Sequence, residues 1–120
     1  MLANNCQQSG MPLEENLKKA LTELLILHLL SQRDFYIGEL TETLKQKSNG
    51  VLKLVFPYSA VYRLQEEGYI VDGGKRIAPD GRKRQFYSIT QLGQTYYGQL
   101  LDTYQSFITG VNAVLEVDLS

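Results

Sequence analysis

A chain of 120 residues has room for one domain and not for two. With 43% hydrophobic and 21% charged residues it lies in the globular range, outside the composition of disordered chains. The net charge of −1 gives no general attraction to a polyanion, but the charge is unevenly placed: Lys75, Arg76, Arg82, Lys83 and Arg84 face a single acid, Asp80, a local +4 that leaves −5 for the remainder.

Residues 1–12 (MLANNCQQSGMP) have no periodicity and the Asn, Gln, Ser and Gly content of a mobile tail, without the basic and apolar regions of a secretory signal. They hold the one cysteine, Cys6, which has no partner for a disulfide or a metal site, so a reducing, cytoplasmic environment is expected. From Leu13, positions Leu17, Ala20, Leu21, Leu24, Leu25 and His28 recur at three- and four-residue spacing and predict a helix ending near Gln32. Ile26, Leu27, Leu29 and Leu30 fill its other sides, so this helix needs partners on more than one face, one of them expected from a second chain. Its apolar run falls well short of the roughly 18 residues a membrane span requires, and no membrane association is expected.

Arg33-Asp34 breaks the chain, after which Ile37, Leu40, Thr41 and Leu44 mark the inner face of a second helix that Ser48-Asn49-Gly50 ends. Residues 51–56 fit either a short strand or an extended connection. Pro57 opens a third helix, with Val61, Leu64 and Gly68 inward and Ser59, Tyr62, Arg63 and Glu66 outward, Gly68 being the expected C-cap. Tyr69-Ile70-Val71 and Gln85 to Ile89 are rich in β-branched and aromatic residues and predict a hairpin with a long basic tip. Thr90 is a suitable N-cap for a last helix from Gln91 to about Val117. Within it Tyr97, Leu101, Tyr104, Ile108, Val111 and Leu115 follow a 4, 3, 4, 3, 4 rhythm, the spacing of a coiled-coil seam, with Gly93, Leu100, Phe107 and Val114 in a second row.

The predicted fold is mainly α with a small β-hairpin: a winged helix-turn-helix DNA-binding domain over 13–90 and a long C-terminal dimerisation helix over 91–117. Three stretches, Tyr36 to Leu40 (YIGEL), Tyr58 to Ile70 (YSAVYRLQEEGYI) and Gly81 to Gly93 (GRKRQFYSITQLG), resemble the PadR-like transcriptional regulators, in a likeness covering about residues 20–115. The single last helix resembles the short subfamily. The resemblance implies a homodimeric repressor that binds a pseudo-palindromic operator in double-stranded DNA. It also implies an apolar cavity between the long helices for a flat, hydrophobic effector, beside the simpler option that the aromatic row of the last helix only packs.

In such a domain the third helix enters the major groove and the hairpin flanks it. Ser59, Tyr62 and Arg63 are therefore expected in the groove, Arg63 reading guanine edges and Ser59 touching base or backbone. Lys75, Arg76, Arg82, Lys83 and Arg84 are expected on phosphates, and Tyr36 and Tyr58 fit core packing or a phosphate hydrogen bond equally well. The expected dimer interface comprises Leu21, Leu25, Tyr97, Leu100, Leu101, Tyr104, Phe107, Ile108, Val111 and Leu115, with His28 a core or interface residue. No nucleophile–base pair, phosphate-binding loop or metal-ligand cluster is present, Gly73-Gly74-Lys75 being read as a turn, so neither catalysis nor a cofactor is expected. The negative net charge and Glu66-Glu67 leave a second option, a winged helix that binds protein rather than DNA.

Overall fold

The computed structural model describes residues 13–52 and 57–117, with side chains over 21–52 and 58–117. The tail expected at 1–12 with Cys6, most of the 51–56 connection, and the inward positions Leu13, Leu17 and Ala20 lie outside those described side chains. The elements in order are α1 (Leu13–Leu30), β1 (Phe35–Tyr36), α2 (Ile37–Lys47), α3 (Pro57–Glu66), β2 (Ile70–Ile77), β3 (Lys83–Ile89) and α4 (Gln91–Leu115).

Helix boundaries follow from local chemistry. Ser48 takes up the carbonyl of Leu44 at the end of α2, and Asn49 and Gly50 reverse the chain at φ 56° and 83°. Gly68, at φ 81°, ends α3 in the left-handed region, where a Cβ is costly. Thr90 caps α4 by accepting a hydrogen bond from the Gly93 amide at 2.9 Å, while its hydroxyl donates to the Gly68 carbonyl at 2.7 Å. Helix α4 ends at Leu115, two residues before the expected limit, where Glu116 turns left-handed.

The sheet corrects two expectations. It has three antiparallel strands in the order β1-β3-β2, not two, because Phe35 and Tyr36 pair with Tyr87 and Phe86. Two residues carry no alternation from which a strand could be predicted. The hairpin also has a short tip rather than a long one: its strands continue to Ile77 and Lys83, and a turn closes with the Gly81 amide donating to Ala78 and the Ala78 amide to Arg82, both at 2.8 Å. Pro79 presets the turn and Gly81 sits at φ 85°. Lys75, Arg76, Lys83 and Arg84 thus stand on strands. Gly73-Gly74 is not the expected turn but a bulge within β2, between Asp72 and Lys75, where the Gly74 amide donates to the Asp72 carboxylate at 2.7 Å.

The core joins all layers. Ile26, Leu27, Leu29 and Leu30 of α1 are buried with Leu40 and Leu44 of α2, Val61 and Leu64 of α3, and Phe35, Ile70 and Tyr87 of the sheet. These contacts hold α3 between α1 and the hairpin. Leu21, Leu24 and Leu25 face the other way, half-buried toward α4. His28 is exposed rather than in the core: its ring is hydrogen-bonded to the Tyr97 hydroxyl at 2.7 Å and to Gln32 at 3.2 Å. Gly93, the first residue of the second row, is buried at the foot of α4 against the Tyr69 carbonyl.

Candidate nucleic-acid interface

Helices α2 and α3 form a helix-turn-helix, and the outward face of α3 carries Tyr58, Ser59, Tyr62, Arg63 and Glu66, all exposed. This face arises because Val61 and Leu64, three apart, are fully buried and turn the opposite side of the helix outward. Tyr58 and Tyr62 are 60% and 57% exposed, which removes core packing as the role of Tyr58.

Tyr36, Tyr58, Tyr62 and Arg84, separated by up to 48 residues, come together around a cleft of about 190 Å³, with Ile37 and Gly38 of α2 and Gln85 and Tyr87 of β3 as further walls. Tyr36 is half-buried and packs edge-on against Phe86, ring centres 5.3 Å apart, while the Arg84 guanidinium lies 5.4 Å from the Tyr36 ring. One Arg84 nitrogen donates to Asp80 at 2.6 Å, and its Nε, shielded from solvent, has no hydrogen-bond partner among the described residues. That carboxylate holds the Arg84 pKa above its ordinary value, and Arg84 with the Arg82 amide keeps Asp80 below the usual carboxylate range. Burial pushes the Tyr87 hydroxyl pKa up from its ordinary value.

The five cations of the hairpin are not equivalent. Arg76 is tied to Asp34 at 2.6 Å and stacks 4.7 Å from the Phe86 ring, and Arg84 is tied to Asp80. Lys75, Arg82 and Lys83 are exposed and enter no ion pair among the described residues. Lys83 alternates onto the face of β3 that carries Gln85 and Tyr87, and Lys75 is registered opposite Gln85, so both lie on one face of the ribbon.

Arg63 differs most from the sequence expectation. Its Nε and one terminal nitrogen donate to the two oxygens of Glu23 on α1, at 2.5 and 3.0 Å, and its other terminal nitrogen lies 3.5 Å from Glu67. Glu23 also accepts from the Tyr96 hydroxyl of α4 at 3.1 Å, and Tyr96 stacks on Tyr69 with ring centres 4.0 Å apart. The guanidinium pKa is raised, chiefly by the hydrogen bonds to Glu23. Sequence reasoning missed Glu23, Asp34 and Asp80 as partners. Only Asp80, four residues from Arg84, was near enough in the chain to give a signal.

The expected interface residues divide along α4. Tyr97, Leu100 and Leu101 are half-buried by their own chain, and Tyr97, Leu101 and Tyr104 face Leu21, Leu24 and Leu25 across an apolar cavity of about 250 Å³ with His28 at its edge. Further along, Phe107, Val111 and Leu115 are exposed, Phe107 at 71%, with Ile108 half-buried. The molecule measures 51 Å along its long axis against 30 and 27 Å across, the elongation expected of a 25-residue helix about 37 Å long that extends past its partners.

This combination of helix-turn-helix, flanking three-stranded sheet and long terminal helix defines a winged helix-turn-helix protein. The chain belongs to the PadR-like family of transcriptional regulators, whose family model matches residues 26–99. That family comprises regulators, not enzymes. A PadR-like transcriptional regulator from Bacillus cereus is 26% identical and superimposes with a TM-score of 0.68 over 82% of this chain and 95% of its own. A transcriptional regulator from Clostridium thermocellum, also 26% identical, gives 0.66 over 78% and 91%. Bacillus subtilis PadR, solved in complex with operator DNA, shares the fold at 19% identity and a TM-score of 0.56, over 68% of this chain and 46% of that one. No helix among the described residues is long and apolar enough to cross a membrane.

Proposed function

We propose that this protein is a homodimeric, sequence-specific DNA-binding repressor working in the cytoplasm, with residues 13–90 as the DNA-binding unit and 91–117 as the dimerisation helix. The observation that carries the reading is the uncommitted positive charge. Lys75, Arg82 and Lys83 project from a ribbon beside the exposed face of α3, where a wing follows the phosphate backbone while the helix enters the groove. Bacillus subtilis PadR, which shares the fold and was solved with operator DNA, supports duplex DNA as the partner.

The exposed apolar end of α4 supports the second copy of the chain. Phe107, Val111, Val114 and Leu115 lie on the end of a helix where all four are exposed among the described residues, and a two-fold axis would bury the same face on both chains. The half-open cavity between α1 and α4 would then gain a wall from the partner, an enclosure suited to a flat hydrophobic effector that relieves repression.

Replacing Lys75, Arg82 and Lys83 together by alanine tests the DNA-binding reading. Binding to random-sequence duplex should weaken, and the slope of log affinity against log salt should fall by about 2.7 per half-site, near 0.9 for each phosphate that a removed cation had neutralised. An unchanged affinity and slope would remove the hairpin from any DNA interface and favour a protein-binding winged helix.

A further inference from the structure

The recognition face of α3 carries a single cation, Arg63, and the fold engages all three of its nitrogens. Guanine is read by two parallel N–H groups of one guanidinium, directed at O6 and N7. Presenting that fork would mean breaking both bonds to Glu23 and leaving a carboxylate that is 24% exposed beside the Tyr96 hydroxyl. What α3 offers instead is two large, exposed aromatic rings, Tyr58 and Tyr62, with the small polar Ser59 beside them. The rings lie one helical turn apart, a rise of about 6 Å, so one helix face can meet neighbouring bases. Glu66 and Glu67, exposed at the other end of α3, would repel phosphates and leave the tyrosine end as the part that enters the groove.

We propose that α3 reads thymine: the rings of Tyr58 and Tyr62 pack on thymine C5-methyl groups in the major groove, and Arg63 is a positioning residue that docks α3 on α1. The methyl is the largest apolar group on the major-groove edges of the base pairs, and an exposed ring gains by leaving water against it. The inference rests on the DNA-binding reading above and adds the base class that the site selects. It also makes Glu23 the joint at which α1, α3 and α4 meet, since Arg63 and the Tyr96 hydroxyl both donate to it.

The test begins with selection of bound duplexes from a random 20-base-pair pool by the full-length protein. In an enriched duplex each thymine is replaced in turn by uracil, which lacks only the methyl, and each guanine by 7-deazaguanine, which lacks N7. Uracil at one or two positions per half-site should weaken binding about fourfold, the worth of one buried methyl. That loss should disappear in Tyr58→Ala or Tyr62→Ala and persist in the corresponding phenylalanine variants. Arg63→Ala and Glu23→Gln should weaken all duplexes by the same factor and lower the melting temperature, with unchanged response to 7-deazaguanine. Uracil without effect at every position, a uracil effect undiminished in both alanine variants, or a 7-deazaguanine effect that vanishes in Arg63→Ala would each overturn the proposal. The uracil series on the unmodified protein decides the matter even where a variant fails to fold. A pool that enriches nothing would instead overturn the sequence-specific DNA-binding reading on which the proposal stands.

Discussion

Gly93 shows how much of this fold can depend on one missing atom. A Cβ built there would lie 2.0 Å from the Tyr69 carbonyl oxygen and 2.8 Å from an Ile89 side-chain carbon, so α4 can seat against the end of the hairpin only where no side chain intervenes. The obstructing atom is backbone, already accepting a hydrogen bond from the Thr90 amide at 3.0 Å, and it cannot rotate away as a side chain would. Gly93→Ala should therefore destabilise the protein by about 3 kcal/mol or more, the upper range for overpacking, despite alanine's better helix propensity. Urea unfolding followed by circular dichroism checks this. A loss below about 0.5 kcal/mol would mean that α4 can slide outward without penalty. Gly98, further along the same helix, has nothing within 4 Å of the position a Cβ would take and is the control: Gly98→Ala should be neutral or stabilising.

At the scale of elements, the hairpin is tied to the α1–α2 connection by Arg76 and Asp34 as well as by the pairing of β1 with β3. The Arg76 guanidinium holds the Asp34 carboxyl below the usual carboxylate range, with a smaller contribution from Ser88. A carboxylate depressed in the folded state stabilises the fold above its unfolded pKa, about 3.9, and that contribution is lost as pH falls through the lower folded value. Asp34→Asn should thus cost stability at pH 7, and the gap from the parent should begin to narrow as pH falls toward the unfolded value of about 3.9 and close below the lower folded value. Because Arg76 is nearly half exposed, solvent screens the pair and the cost should be about 1 kcal/mol or less. Urea midpoints across that range measure it, and a gap that is constant with pH would show that the asparagine acts through packing instead of charge. Wing attitude would respond with it, since the same tether orients the ribbon that bears Lys75 and Lys83.

At the scale of the whole molecule, one chain leaves an apolar helix end uncovered, and the proposed second copy accounts for it. Phe107 and Val111 are the residues to change, because both are exposed in the single chain and neither supports its core. Phe107→Asp with Val111→Asp should leave the circular dichroism spectrum intact, halve the mass seen by light scattering, and weaken binding to a two-half-site duplex by at least a hundredfold, as expected when two linked binding events become one. A folded double variant that stays dimeric would show that the chains meet elsewhere. A monomer that binds as tightly as the parent would show that recognition needs only one half-site. Three heptads are short for a self-sufficient coiled coil, so the half-buried Leu21 and Leu25 of α1 are the natural extension of the same interface.

Sequence periodicity was enough to place the four helices, the caps Gly68 and Thr90, the inward residues Leu40, Leu44, Val61 and Leu64, and the outward face of α3, because each depends on neighbours within one or two turns. The order of those elements implied the winged topology, and the three family-like stretches pointed to the family. What escaped was set by partners distant in the chain. The strand Phe35–Tyr36 exists only because β3 passes beside it 50 residues later, and the long ribbon read as a loop because exposed strands are as polar as turns. The role of each cation was likewise illegible. Arg63 and Arg76 are as basic as Arg82 in the sequence, yet Glu23 and Asp34, 40 and 42 residues away, engage them in the folded chain. Charge is a property of the residue, but availability of that charge to a partner is a property of what the fold has already placed against it, and only the tertiary structure decides that.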